Sequence, residues 1–131
     1  MAKVSGFVYC DQASATMLNE KLVPSVILPL PSIPVSVLPT EKSFALCLCI
    51  SDIDSNNDHE LQIVIDHNGE RIIDMGKSRV EKDKLQNEII LNADIRNLKI
   101  RETGEVCTRI LFDDQVIGEF PIMVRLLGDI E

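Results

Sequence analysis

A chain of 131 residues with a formal charge of −8, 45% hydrophobic and 4% aromatic residues is long enough to bury a core and too apolar to be disordered. Its negative field repels a phosphate backbone, and its few aromatic rings leave no stacking platform for bases, so nucleic-acid binding is not expected. The longest apolar stretch, Val23 to Leu38, is interrupted by Pro24, Pro29, Pro31 and Pro34, which excludes a membrane-spanning helix there.

Val4 to Cys10 reads as a strand ending at Asp11, with a polar loop from Gln12 to Thr16. A turn at Asn19-Glu20 leads into a second apolar run, Leu22 to Leu28. From Pro29 to Pro39 the prolines predict a bent, extended connection or an edge segment, since proline donates no ladder hydrogen bond. Pro31-Ser32-Ile33-Pro34 has PxxP spacing but no close basic flank, and is read as a crossover rather than an SH3 ligand. Phe44 to Ile50 is apolar on both faces and reads as a central strand, followed by an acidic loop from Asp52 to Asp58.

Leu61, Ile63 and Ile65 alternate and therefore share one face of the next strand. Asn68-Gly69 tolerates the positive φ angles of a two-residue hairpin turn. The return strand Arg71 to Asp74 then places Ile65 opposite Ile72, and Asp66 opposite Arg71. Met75 to Lys84 reads as a charged loop and Glu88 to Leu91 as a short strand. Asn92 to Gly104 reads as a long connection, or as one helical turn from Asp94. Val106 to Phe112 alternates again, Asp113-Asp114 begins a turn, and Val116 to Leu127 returns, with Gly118 and Pro121 marking a bulge or an edge. These elements predict an all-β fold, an antiparallel β-sandwich of about seven to nine short strands forming one domain over residues 1–131.

The four cysteines, Cys10, Cys47, Cys49 and Cys107, lie in apolar runs with no leader-like segment before them. They are expected to be reduced and buried in a cytoplasmic protein. Cys47 and Cys49 share a strand face, yet structural zinc pairs favour CxxC on a tight turn. The run Asp52 to Asp58 imitates the start of a calcium loop, but Asn57 stands where glycine is needed and Ile63 where the bidentate glutamate is needed. Neither a metal nor a cofactor is expected. His59 and His67 stand at opposite ends of one strand, Asp113-Asp114 sits on an exposed turn, and no glycine-rich phosphate loop or nucleophile elbow is present.

The order of features resembles an uncharacterised family of small prokaryotic proteins read as immunoglobulin-like sandwiches. The resemblance runs from Gly6 to Leu127. It is carried by Phe7 to Ala13 with Lys21-Leu22, by the proline-marked bend before Phe44, by His59 to Ile63 through Asn68-Gly69, and by Gly104 to Val106 through Ile117 to Val124. It departs at Val23-Pro24-Ser25, where the family commonly has a glycine. The resemblance implies an immunoglobulin-like fold and transfers no catalytic or binding residue.

The expected function is a non-catalytic intracellular binding or adaptor module that meets another protein through end loops or a strand edge. The candidate loops are residues 12–16, 52–58, 75–84 and 94–103. The candidate contact residues are Asp52, Asp54, Asp58, Lys77, Arg79, Lys82, Lys84, Arg96 and Arg101. Residues 71–109 hold nine basic and seven acidic side chains, a net of +2, against −10 for the rest. Within them the mixed-charge segment 77–84 reads as a solvated loop, with contact to an acidic partner as its functional alternative. An unpaired edge would also serve a homodimer. The alternatives are a small acidic inhibitor carried by a phage or mobile element and, last, a metal-dependent enzyme using the thiols or the acidic loop.

Overall fold

The computed structural model describes residues 2–18, 21–54, 56–81 and 88–127. Those residues form nine strands: β1 (Lys3–Leu18), β2 (Lys21–Pro29), β3 (Ser32–Val35), β4 (Thr40–Ser51), β5 (His59–His67), β6 (Glu70–Val80), β7 (Ile89–Ile100), β8 (Gly104–Phe112) and β9 (Gln115–Leu126). They make two sheets, ordered β2-β1-β4-β7 and β3-β9-β8-β5-β6, packed as an immunoglobulin-like β-sandwich. All neighbours are antiparallel except β3, which pairs parallel to β9. Among the described residues no helix is long and apolar enough to cross a membrane.

Inward residues of both sheets close the core. Leu46, Leu48 and Ile50 of β4 meet Ile63, Ile65, Val106 and Ile110 of β5 and β8, all buried. Each such aliphatic side chain stabilises the fold by about 1.5–3 kcal/mol. Tyr9 pins one sheet to the other. Its hydroxyl donates to the Phe120 carbonyl at 2.5 Å and lies 2.6 Å from the Thr108 hydroxyl. Burial pushes its pKa up to about 12, so it stays a donor throughout the physiological range.

As expected, β4 is central, the proline-rich segment supplies the edge strand β3, and the Asn68-Gly69 turn has two positive φ angles, 50° and 85°. The Asn19-Glu20 turn lies outside the described residues. Three expected loops are strands. Gln12 to Thr16 continues β1 because its backbone pairs with β2, from Gln12 opposite Ile27 to Thr16 opposite Val23. Met75 to Val80 continues β6, paired along the first half of β5 as far as His59 opposite Val80. Asn92 to Ile100 is β7, laid along β4, and contains no helical turn. In each case backbone pairing with a neighbour outweighs polar side chains. Several strands are therefore long, with 16 residues in β1.

The β5–β6 register also differs by one. Asp66 faces Arg71 as expected, but Ile65 faces Ile73, because the ladder shifts between Ile65 and Asp66. Gly118 marks the bulge in β9, where the ladder shifts between Ile110 and Leu111.

Candidate functional site

One sheet ends at β7 and the other at β6, and both edges open on the same side of the sandwich. Between them lies a cleft of about 520 Å³, lined by His67, Glu70, Ile72, Ile73, Leu98 and the polar run Arg96, Asn97, Lys99, Arg101 and Glu102. Ile73 and Leu98 belong to the core side and make its floor apolar.

A bulge shapes the β7 wall. Lys42 pairs with Leu98 but Phe44 pairs with Ile95, so Arg96 and Asn97 together oppose Ser43. Asn97 adopts φ 55°, a left-handed conformation that asparagine tolerates, and its N–H donates to the Ser43 hydroxyl at 3.0 Å. Ile95 and Leu98 stay buried on either side. The extra residue therefore turns Arg96 and Asn97 outward together, the side-chain re-aiming that bulges produce.

The far end is fixed by the hairpin turn. Asn68 donates from Nδ2 to the Glu102 carboxylate at 2.9 Å and to the Thr103 carbonyl at 3.0 Å, and its Oδ1 accepts from the Glu105 N–H at 2.9 Å. The β5–β6 turn and the β7–β8 connection are thus tied across the end of the cleft. His67 continues the inward phase of Leu61, Ile63 and Ile65 at this open end, and is only 8% exposed. Its Nε2 is buried and has no hydrogen-bond partner among the described residues. Such a group costs about 1–3 kcal/mol when left unpaired. Arg96, Lys99 and Arg101 against Glu70 and Glu102 give the lining a net charge of +1 with His67 neutral. Among the described residues neither Lys99 nor Arg101 has an ion-pair partner, and Arg96 lies 3.6 Å from Asp94.

The opposite end of the sandwich gathers acid. His59 Nδ1 donates to Asp113 at 2.6 Å and Nε2 to the Asp54 carbonyl at 2.6 Å. Asp113 also accepts from the Glu60 N–H at 2.9 Å. Burial lowers the His59 pKa, but hydrogen bonds to Asp113 and to the Asp54 carbonyl outweigh it, and the net direction is up. For Asp113 burial raises the pKa, and hydrogen bonds from His59 and the Glu60 N–H reverse this to a net lowering. This His–Asp pair resembles half of a catalytic triad, yet both ring nitrogens are occupied, which leaves none to take a proton from a substrate.

The structure separates the candidate contact residues. Asp52 pairs with Lys3 at 3.2 Å, Asp58 with Arg79 at 2.5 Å, and Lys77 with Asp114 at 2.7 Å. Asp54 accepts from the Asn56 N–H and from Asn57, which hold its pKa below the ordinary carboxylate value. Lys77 and Arg79 are strand residues of β6 rather than loop residues. Arg96 stands on β7 and Arg101 just beyond it, and only these two meet in the cleft. Lys82 and Lys84 lie outside the described residues. His67, Lys99 and Glu102 also line the cleft, and Asn68 ties its end to Glu102 and Thr103. The candidate stretch 94–103 contains Lys99 and Glu102 without naming them, and for His67 the available signal is a histidine at an inward strand position beside an Asn-Gly turn.

The four thiols do not meet at one point. Cys10, Cys47 and Cys49 neighbour one another on β1 and β4 of one sheet, and Cys107 is buried in the other. Among the described residues no cluster of three or more metal-ligating side chains is found. Burial, with the neighbouring Cys49, pushes the Cys47 thiol up to about 11, far from the thiolate that reactivity needs.

Residues 5–125 match the model of a family of unknown function, DUF6941. No curated protein matches the sequence. Among solved structures, the Pseudomonas fluorescens alkylpurine DNA glycosylase AlkC, bound to DNA containing an abasic site analogue, aligns at TM-score 0.57 and 7% identity over 95% of this chain and 30% of that chain. A β-glucosidase from Listeria innocua in complex with glucose aligns at 0.49 and 12% identity, over 95% and 16%. An immunoglobulin-like protein from Pseudomonas aeruginosa aligns at 0.44 and 14% identity, over 95% and 97%. The chain therefore spans under a third of the glycosylase and about a sixth of the glucosidase, and at such identities the likeness to the glycosylase is one of fold alone.

Proposed function

The chain belongs to DUF6941, a family of unknown function, and from that premise we propose that it is a non-catalytic binding module holding an acidic protein partner in the cleft between β6 and β7. One observation carries this reading. The other described cations of β6 and β8 are engaged, Arg71 and Arg109 by Asp66, Lys77 by Asp114, and Arg79 by Asp58. Lys99 and Arg101 are not so engaged among the described residues, and they line an open cavity with Arg96. Unspent positive charge on an otherwise acidic protein favours an acidic partner locally while the remaining surface repels it. The occupied nitrogens of His59 support a non-catalytic role. The inhibitor reading has less support, because Asp52, Asp58 and Asp114 are already paired within the chain.

The test is affinity capture from a lysate with the wild-type chain and with an Arg96→Glu/Arg101→Glu double variant, using Asp114→Asn as the control at the opposite end. A partner retained by wild type and by the control, released as salt rises and lost from the double variant supports the proposal. Equal retention by all three proteins overturns it.

A further inference from the structure

We propose that the inner end of this cleft is a carboxylate-binding site, in which Arg101 and Lys99 supply the countercharge and His67 Nε2 donates a hydrogen bond to a carboxylate oxygen. The inference rests on the cleft being the binding surface and adds the chemical group it takes.

Three observations converge on that group. The first is His67, more than nine-tenths buried in the cleft wall, with Nε2 unpartnered among the described residues. A buried polar nitrogen at a cavity wall is a position where a ligand atom supplies the missing hydrogen bond. The second is charge. The lining carries a net +1, from Arg96, Lys99 and Arg101 against Glu70 and Glu102, which suits a monoanion. The two carboxylates, together with a chain charge of −8, repel a phosphate dianion. The third is shape. A planar carboxylate matches the fork of an arginine guanidinium, while Ile72, Ile73 and Leu98 offer an apolar floor for the hydrocarbon that carries it. The ligand class is therefore an aliphatic carboxylate, either a free organic acid or an acidic side chain of a partner segment.

His67 Nε2 has essentially no accessible surface in this structure. Engagement accordingly includes rotation of the imidazole about its Cβ–Cγ bond. Asn68, next in sequence, anchors the backbone at this point through its bonds to Glu102, Thr103 and Glu105, so the ring turns against a fixed frame.

The experiment is an NMR titration of the ¹⁵N-labelled protein, following the His67 ring nitrogens and the Lys99 and Arg101 amides. The probes are butyrate, a capped Val-Glu-Val peptide, neutral butyramide and inorganic phosphate. A saturable shift of the His67 ring and both amides with butyrate assigns the site to a free organic acid. The same response with the peptide alone assigns it to a partner's side chain. In both cases Arg101→Gln, a surface change that leaves the core intact, weakens binding about tenfold or more. No saturable shift with either carboxylate, tighter binding of phosphate or butyramide, or amide shifts without a His67 response each overturns the proposal. The two readings fail separately. Carboxylate binding without protein capture defeats only the partner reading. Capture lost in the Arg96→Glu/Arg101→Glu variant, without carboxylate binding, defeats only this one.

Discussion

Gly104 and Asn68 interlock at a single point. Gly104 has φ 122°, and a Cβ built on it would fall inside the Asn68 side chain. Only glycine satisfies both the backbone angle and the close approach. Gly104→Ala is expected to destabilise the fold by about 1–3 kcal/mol, the range for a strained backbone position, and to loosen Glu102 and Thr103 at the end of the cleft. Denaturant midpoints read the first effect, and amide exchange at residues 102–105 reads the second. Tyr9 offers a comparable test between the sheets. Tyr9→Phe keeps the ring's edge-to-face contacts with Phe7 and Phe44 but removes the donor to the Phe120 carbonyl. A loss of about 1–3 kcal/mol is expected, and an unchanged midpoint would show that the hydroxyl chain is not structural.

The His59 latch is a residue-scale device with a defined pH window. The folded-state pKa of His59 is raised above the unfolded value of about 6.5. Its contribution is therefore complete below about pH 6.5 and is lost as pH rises through the folded value. Asp113 is held below its ordinary value, so its contribution is present above about pH 4 and is lost as pH falls through the folded value. The latch is strongest between these limits. Asp113 is 49% exposed, which screens the pair and limits its worth to about 1 kcal/mol. Stability compared at about pH 5 and about pH 8.5 should fall with rising pH in wild type and show a smaller fall in His59→Gln. An identical pH profile in the two proteins would remove the latch.

At the scale of elements, the outer face of the larger sheet is organised by one buried carboxylate. Asp66, 8% exposed in its side chain, accepts from Arg71 on β6 at 3.0 Å and from Arg109 on β8, which in turn reaches Glu119 on β9 at 3.1 Å. Four strands are linked by this chain of ions. The two ends of the Asp66–Arg109 pair are not equivalent. Removing Arg109 leaves a buried carboxylate with only Arg71, whereas removing Asp66 leaves Arg109 with Glu119 and releases the half-exposed Arg71 to water. Arg109→Ala should therefore destabilise more than Asp66→Asn, by about 1–3 kcal/mol against about 1. The reverse order in thermal unfolding would mean that Arg71 alone satisfies Asp66. The same sheet ends in β6, where the ladder shifts around Gly76 (φ 74°) and where Asp74, Lys77 and Arg79 are exposed. Bulge and charge together resist edge-to-edge pairing.

For the whole molecule, the deciding feature is where positive charge remains. Segment 71–109 holds a net +2 within a chain of −8, and a linear count makes Lys77 and Arg79 as available as Arg96 and Arg101. Folding brings Lys77 and Arg79 against Asp114 and Asp58 at the acidic end. It brings Arg96 and Arg101 to the cleft with Lys99. The molecule is thereby polar along its strands, acid paired at one end and base open at the other. An acidic partner's association rate should fall as salt screens this field, with a weaker salt response in Lys99→Gln. A salt-independent rate would place the contact elsewhere.

Alternation in Leu61, Ile63 and Ile65, the apolar run Phe44 to Ile50 and the Asn68-Gly69 turn made the sandwich, its central strand and its tightest hairpin legible from the sequence, because these depend on side-chain period and local φ preference. Strand length was not legible where polar residues pair through their backbones, as at Gln12 to Thr16, Met75 to Val80 and Asn92 to Ile100. Ladder hydrogen bonds belong to every residue type except proline, and their formation depends on which neighbour is present. Nor was the cleft legible. His67 and Lys99 lie 32 positions apart and share a cavity only because both sheets terminate on the same side. Composition and pattern fixed the kind of fold; the pairing of distant edges determined which charges cancel and which stay open, since an ion pair depends on distance in space rather than separation along the chain.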